Sequence, residues 1–215
     1  MHKIKAVFFD LDGTLVDSAP DFYAVVNSLR LEDGRTELPH PLIRDQVSNG
    51  GIHLSCLTWD ISPNHPDIMV YRQRLLDRYT DYLGSYSGLF EGFAPILSYL
   101  EKTNIAWGVV TNKPRLYAAP LLEKLKIDTQ LLICPEDVVN RKPHPEPLIK
   151  AAQFFDVSVN DCLYVGDHVR DIESAIAANM PSVAALFGYI EPNVNPKDWL
   201  ADFYINTPAE LLPLL

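Results

Sequence analysis

The sequence is poor in cysteine, in positive charge and in long apolar runs, and each shortage excludes a class of protein. Its 215 residues include three cysteines and no C-x-x-C pair, so no disulfide framework is expected. Lysine and arginine number 18 against 28 aspartates and glutamates, and the net charge of −10 argues against nucleic acid or an anionic membrane as a partner. No apolar run approaches the length of a membrane span, so a cytoplasmic protein is expected.

Short, continuous apolar runs are present instead, and they predict strands that are buried on both faces. These runs lie at 4–9, 105–110, 131–134, 162–166, 182–187 and 201–205. Helical patterns alternate with them at 92–104, 114–126, 145–156 and 169–179. This alternation predicts an α/β protein with a Rossmann-like, doubly wound parallel sheet.

Residues 19–88 interrupt the alternation. Segments 21–31 and 67–83 have amphipathic helical patterns, and no convincing strand occurs in this stretch. The sequence therefore predicts a core domain of residues 1–18 and 89–215, with a helical cap domain of residues 19–88 inserted after the first strand.

Polar residues stand where the predicted strands end. In an open α/β sheet the carboxyl ends of the strands form the ligand-binding edge, so these residues are expected to converge. They are Asp10, Asp12, Thr111, Asn112, Lys113, Lys142, Asp167 and Asp171. Several carboxylates in one cleft cannot all ionise without a compensating cation, and Mg²⁺ with oxygen ligands is the expected one.

Structural explanations compete with the functional one. The D-x-D-G of Asp10 and Asp12 suits a turn, but not a calcium loop, since Leu15 stands where that loop requires glycine. Thr111 alone suits a helix cap and Lys142 alone a solvated lysine. His168 is interpreted as an exposed residue at a helix start rather than as a general base.

Three arginines in the predicted insert, Arg72, Arg74 and Arg78, form a second cluster of charge. We interpret them as a solvated helix face that pairs with Asp77 and Asp81.

Four motifs in order resemble those of the haloacid dehalogenase superfamily of phosphotransferases. They are FFDLDGTL (8–15), VVTNK (109–113), RKPHPEP (141–147) and YVGDHVRDIESA (164–175). The resemblance implies that Asp10 is a nucleophile that forms an aspartyl-phosphate, and that Asp12 is a general acid and base. It also implies that Thr111 contacts the phosphoryl group and Asn112 lies nearby, while Lys142 neutralises charge between that group and Asp10.

The same resemblance implies a Mg²⁺ site. The ion would be held by Asp10, by Asp167 and by the backbone carbonyl of Asp12, and Asp171 would orient its ligands. His168 departs from the pattern, because relatives often carry Ser or Thr there.

Within the superfamily, the chain resembles the phosphoglycolate phosphatases. Segments 107–114, 132–138 and 188–211 are more specifically similar to N-acetylmuramic acid 6-phosphate phosphatases. The expected partner is a small phosphorylated metabolite, hydrolysed with Mg²⁺ and selected by cap residues, for which the candidates are Arg44, Ser48, Asn49 and Gly50.

A phosphosugar mutase shares every core motif and stays an alternative. A haloacid dehalogenase is disfavoured because it requires no acid such as Asp12, and a non-catalytic member because no expected catalytic residue is missing.

Overall fold

Six parallel strands form the central sheet of the computed structural model, which describes residues 3–215. The strands are β1 (Ala6–Phe9), β4 (Ala106–Val110), β5 (Leu132–Ile133), β6 (Cys162–Gly166), β7 (Ser182–Ala185) and β8 (Phe203–Ile205). Their spatial order is β5-β4-β1-β6-β7-β8. The chain adds strands first on one side of β1 and then on the other, so a ligand-binding crevice is expected at the carboxyl ends of β1, β4 and β6.

Helices cover both faces of this sheet, which explains the unbroken apolar sequence of β1. They are α5 (Phe93–Thr103), α6 (Arg115–Lys124), α7 (Glu146–Phe154) and α8 (Val169–Ala178). Val7 and Phe9 of β1 belong to the same buried cluster as Ile96 of α5. Phe8 points to the opposite face and belongs to the cluster that contains Leu148 of α7.

The predicted doubly wound parallel α/β fold is confirmed, although several strands are shorter than predicted. The predicted strand 131–134 is reduced to Leu132–Ile133, because this edge strand pairs only with β4 and only through those two residues. The predicted strand 182–187 ends at Ala185, where the chain turns and the Gly188 amide donates to the Ala185 carbonyl at 3.1 Å.

Four helices occupy the stretch in which the sequence predicted helical patterns. They are α1 (Ala19–Glu32), α2 (His40–Val47), α3 (Gly51–Trp59) and α4 (Ile68–Tyr82). Two short antiparallel strands flank them, β2 (Val16–Asp17) and β3 (Gly88–Leu89). The division into two domains at residues 18 and 88 stays a prediction. Within residues 3–215, no helix combines the length and apolar character needed to cross a membrane.

The predicted pairing of the α4 arginines with Asp77 and Asp81 is wrong. Arg74 donates to Asp33 at 2.7 and 2.8 Å, and Arg78 donates to Glu32 at 2.5 Å. Both acceptors lie at the carboxyl end of α1. Because α4 packs against α1, the arginine side chains reach these acceptors across the interface between the two helices. These arginines therefore form ion pairs with acidic residues of a neighbouring helix rather than with acidic residues of their own helix.

Candidate active site

The polar residues at the strand ends meet in a cleft of about 800 Å³. Asp10 and Asp12 follow β1, Thr111 and Asn112 follow β4, and Lys142 lies on the segment between β5 and α7. All five line the cleft. Their convergence follows from the topology, because the carboxyl ends of neighbouring parallel strands share one edge of the sheet.

Three carboxylates form a cluster beside this cleft. One oxygen from each of Asp10, Asp167 and Asp171 lies within 4.8 Å of the others, and the latter two residues are buried. Burial, followed by the charges of Asp10 and Asp171, raises the pKa of Asp167 to about 8. The cluster thus holds more negative charge than its surroundings neutralise. Its oxygen donors and its excess charge fit a hard divalent cation such as Mg²⁺.

The buried carboxylate of Asp167 is held by the D-G-T turn after β1 and by the segment after β7. Thr14 Oγ1 donates to Asp167 Oδ1 at 3.0 Å, and the Tyr189 amide donates to Oδ2 at 2.8 Å. Gly13 has a φ of +82°, and a Cβ on it would lie 2.2 Å from Asp167 Oδ2. A Cβ on Gly188 would lie 2.1 Å from Asp167 Cβ. Glycine at these two positions therefore makes room for the carboxylate.

Lys142 is fully buried between the carboxylates. Its ammonium lies 3.0 Å from Asp10 Oδ1 and donates to Asp171 Oδ1 at 2.7 Å. It also donates to the Tyr164 hydroxyl at 2.7 Å and to the Val110 carbonyl at 3.1 Å. Burial opposes the charge of Lys142, but Asp10 and Asp171 more than offset this effect and raise the pKa of the lysine. Lys142 is therefore a fixed cation beside Asp10.

A second lysine, Lys113, binds Asp12. Its ammonium donates to the two carboxylate oxygens at 2.9 and 3.1 Å, and the Ser18 hydroxyl donates to one of them. Burial opposes the charge of Lys113, yet Asp12 and then Tyr79 raise its pKa. Sequence reasoning placed Lys113 at a strand end without a role. A role for Lys113 could have been inferred from its position in the motif VVTNK, two residues after Thr111.

Thr111 and Asn112 have different surroundings at the end of β4. The Thr111 hydroxyl accepts a hydrogen bond from the Lys113 amide at 3.1 Å. The Asn112 side chain donates to the Lys142 carbonyl at 2.9 Å. Asn112 thereby ties β4 to the segment that carries the buried lysine.

The segment between α2 and α3 forms part of the cleft wall. Ser48, Asn49 and Gly50, which the sequence analysis named as candidates for substrate contacts, all line the cleft. The Ser48 hydroxyl donates to Asp167 Oδ2 at 3.3 Å, and the Asn49 side chain donates to Glu191 at 2.5 Å. These bonds connect the helical wall to the sheet side.

Arg44 does not line this cleft. Its guanidinium donates to the Phe187 carbonyl at 2.8 Å and lies 4.8 Å from the centre of the Tyr189 ring. Arg44 thus joins α2 to the segment after β7.

His168 is partly buried rather than exposed, and it is the N-cap of α8. Its Nδ1 accepts a hydrogen bond from the Arg170 amide at 3.2 Å. Burial, followed by the charge of Arg170, lowers the pKa of His168 to about 4. Asp171 completes the cap, because its Oδ2 accepts from the His168 amide at 3.0 Å.

Comparison with known proteins agrees with this geometry. The profile of the family described as haloacid dehalogenase-like hydrolase matches residues 7–185. An N-acetylmuramic acid 6-phosphate phosphatase from Pseudomonas aeruginosa is 37% identical, over 99% of this chain and 95% of its own length. A phosphoglycolate phosphatase from Xanthomonas campestris pv. campestris is 40% identical, over 98% of this chain and 96% of its own.

A solved structure shares the whole architecture. It is the crystal structure of a "predicted phosphoglycolate phosphatase" from Haemophilus somnus, with a TM-score of 0.85 and 26% identity. The match covers 100% of this chain and 99% of the other. The chain therefore belongs to the haloacid dehalogenase-like hydrolase family and is a phosphatase, a hydrolase of phosphoric monoesters.

Proposed function

We propose that this phosphatase is Mg²⁺-dependent and hydrolyses a small phosphomonoester, either N-acetylmuramic acid 6-phosphate or 2-phosphoglycolate, through an aspartyl-phosphate on Asp10. One observation carries the proposal: two carboxylate–lysine pairs, Asp10 with Lys142 and Asp12 with Lys113, line the same cleft. A phosphoryl group that moves between two oxygens requires a nucleophile, a proton carrier and nearby cations. These pairs supply all three.

Asp10 is the proposed nucleophile. Its Oδ1 accepts from the Leu11 amide at 2.7 Å and lies 3.0 Å from the Lys142 ammonium, so this oxygen is held in place. A bond forms between an Asp10 carboxylate oxygen and phosphorus while the bond from phosphorus to the ester oxygen breaks. Lys142 would offset the negative charge of the two approaching groups, and the Thr111 hydroxyl would contact the phosphoryl oxygens.

Asp12 is the proposed proton carrier. It donates a proton to the leaving alkoxide and then takes one from the water that attacks the aspartyl-phosphate. That attack releases inorganic phosphate and restores both carboxyl groups. Lys113 and Ser18 hold the Asp12 side chain in place for both steps.

The proposed Mg²⁺ ligands are Asp10, Asp167 and the backbone carbonyl of Asp12, with Asp171 beside them. When bound, the ion would neutralise charge shared by the nucleophile and the phosphoryl group. The cluster supports this assignment because Asp167 is buried among like charges that Lys142 only partly offsets.

Residues 19–88 are proposed as a cap domain that selects the substrate, with Ser48, Asn49 and Gly50 among the groups that approach it. The partner is a small phosphorylated metabolite rather than a nucleic acid, in keeping with the net charge of −10.

The test measures phosphate release from both candidate substrates with Mg²⁺ and with EDTA. We expect turnover only with Mg²⁺. Rapid acid quenching followed by peptide mass analysis should find phosphate on the peptide that contains Asp10. With p-nitrophenyl phosphate, whose leaving group needs no proton, Asp12→Asn should increase the amount of this phosphopeptide because hydrolysis then lacks its base. Full activity in EDTA would contradict the metal requirement. An active enzyme that never carries phosphate on this peptide would contradict the intermediate.

A further inference from the structure

Arg72 is a cation on the helical wall of the cleft that no acidic residue neutralises. It is half-buried on α4 and lines the cleft, and in the described part of the chain it forms no ion pair and donates no hydrogen bond. Arg74 and Arg78, on the same helix, both pair with carboxylates of α1. A guanidinium has five donors and stays charged, so a partnerless one that faces a cleft indicates an acceptor that arrives with a ligand.

Tyr79 is a second unpartnered donor on the same face of α4. Its side chain is 1% exposed and lines the cleft beside the Lys113 ammonium, and its hydroxyl has no hydrogen-bond acceptor among residues 3–215. Phe22 holds the ring by stacking with a centroid separation of 4.3 Å. Buried hydroxyls in folded proteins almost always have a partner, because an unmade bond is costly. The Tyr79 hydroxyl therefore also points to a polar ligand.

The N-terminus of α3 lies beside Arg72. Gly51 begins this nine-residue helix, and no side chain caps it. A Cβ on Gly51 would lie 3.5 Å from Arg72 Cγ, so the arginine packs directly against the helix start. Backbone amides at a helix start and a guanidinium both donate to anions, and the planar fork of arginine matches a carboxylate.

We propose that Arg72 and the N-terminus of α3 bind a carboxylate of the substrate, at a distance from the phosphoryl group, and that the Tyr79 hydroxyl donates to a polar substrate atom nearer that group. This proposal rests on the proposed function and narrows its substrate class. Tyr79 lies next to the Lys113 ammonium, which is 4.8 Å from its ring centre. Arg72 lies on the same face of α4 as Tyr79 but two turns away, which is about 10 Å along the helix axis.

This spacing separates the two candidate substrates. A molecule that reaches both Asp10 and Arg72 must carry its phosphate and its carboxylate at opposite ends. In 2-phosphoglycolate, only an oxygen and a methylene separate the phosphorus from the carboxyl carbon. In N-acetylmuramic acid 6-phosphate, a pyranose ring stands between the phosphate and the lactyl carboxylate. The substrate class is therefore a phosphorylated sugar acid.

The test compares kcat/KM for N-acetylmuramic acid 6-phosphate and N-acetylglucosamine 6-phosphate, which lacks the lactyl acid. We expect the wild-type enzyme to prefer the acid by about 10- to 100-fold, the size of one lost charged hydrogen-bond pair. Arg72→Gln should abolish this preference through KM, with N-acetylglucosamine 6-phosphate turnover changed less than about twofold.

Arg74→Gln is the matched control, because it removes a cation from the same helix but outside the cleft, and it should keep the preference. Equal losses on both sugar phosphates in Arg72→Gln, or an unchanged preference, would overturn the proposal. If Arg72→Gln does not fold, Arg72→Lys and the wild-type substrate pair decide the question. Hydrolysis of 2-phosphoglycolate alone would overturn the carboxylate subsite and leave the phosphatase mechanism standing, whereas no turnover of any of the three would contradict the proposed function itself.

Discussion

The sheet side of the cleft and its helical wall differ in how their polar groups are satisfied. On the sheet side, Lys142 contacts Asp10, Asp171 and two further oxygens, and Lys113 holds both oxygens of Asp12. On the helical wall, and within the described part of the chain, Arg72 has no ion-pair or hydrogen-bond partner and the Tyr79 hydroxyl has no acceptor. The sheet side is thus arranged before any substrate binds, while the wall keeps donors free.

The proposed roles of the two sides explain this difference. A group that stabilises transferring charge is effective when it is already in position, since it then needs no reorganisation during the reaction. A group that selects a substrate must instead have its bonding capacity available, and a ligand without the matching group leaves it unsatisfied. Changes on the sheet side should therefore reduce turnover of every substrate, whereas changes on the wall should alter the choice between substrates.

The largest expected effect is that of Asp10→Asn. The amide keeps the shape of the side chain but is a poor nucleophile, so kcat should fall by about 10⁴-fold or more for all phosphomonoesters. Asp12→Asn is the matched change, and it should retain more activity on p-nitrophenyl phosphate, whose leaving group needs no proton. Steady-state kinetics on both variants measures this. Near-native turnover by the Asp10→Asn enzyme would contradict both the assignment of Asp10 as nucleophile and the proposed difference between the two sides of the cleft.

The two buried lysines provide the next test. Lys142→Met leaves Asp10 and Asp171 without their cation, so the free energy of unfolding should fall by about 3–5 kcal/mol. Lys113→Met leaves only Asp12, whose side chain is 18% exposed and reaches solvent, so a smaller loss is expected. Both should lower kcat for every substrate. Urea unfolding gives the order of the stability losses, and a larger loss in Lys113→Met would contradict it.

Much of the sheet side could be predicted from the sequence, because its residues sit in short motifs at strand ends. Asp10, Thr111 and Asp167 directly follow β1, β4 and β6, so they converge because these parallel strands end at one edge. The bonds between them depend on side-chain packing, so the pairing of Lys113 with Asp12 was not foreseen.

The helical wall was less predictable, since helix-to-helix packing decides which face meets the cleft. The pattern around Arg72 predicted a helix correctly, but charge spacing along that helix gave the wrong partners for Arg74 and Arg78. Arg44 likewise bonds to the Phe187 carbonyl instead of lining the cleft. No local pattern in the sequence encodes these contacts between distant segments.

Metal removal should produce a pH-dependent loss of stability on the sheet side. In the metal-free chain the pKa of Asp167 is about 8, above the value of about 3.9 for an unfolded aspartate. The folded state therefore holds a proton that the unfolded state has lost, and stability falls as the pH rises towards 8. The lowered pKa of His168, about 4, has the opposite effect below about pH 6.5, where the unfolded histidine binds the extra proton.

The informative window is thus between about pH 6.5 and pH 8, where His168 is neutral in both states. In EDTA the Tm should fall by a few degrees across this window, and Mg²⁺ should remove the fall because a cation favours the ionised cluster. Asp167→Asn should show a flatter Tm profile in EDTA. A metal-free Tm that rises with pH between these values would contradict the assignment.

The smallest expected effect comes from His168, which tests whether every polar group on the sheet side serves the chemistry. This histidine lines the cleft, but it caps α8 through its Nδ1 and its pKa of about 4 keeps it neutral near physiological pH. Serine is also an N-cap residue, so His168→Ser should cost less than about 1 kcal/mol, while His168→Ala should cost about 1 kcal/mol. Both variants should keep kcat within about threefold and leave its pH profile unchanged. A loss of two orders of magnitude in His168→Ser, with an altered pH profile, would instead make the histidine a proton carrier and assign it to the reaction rather than to the helix cap.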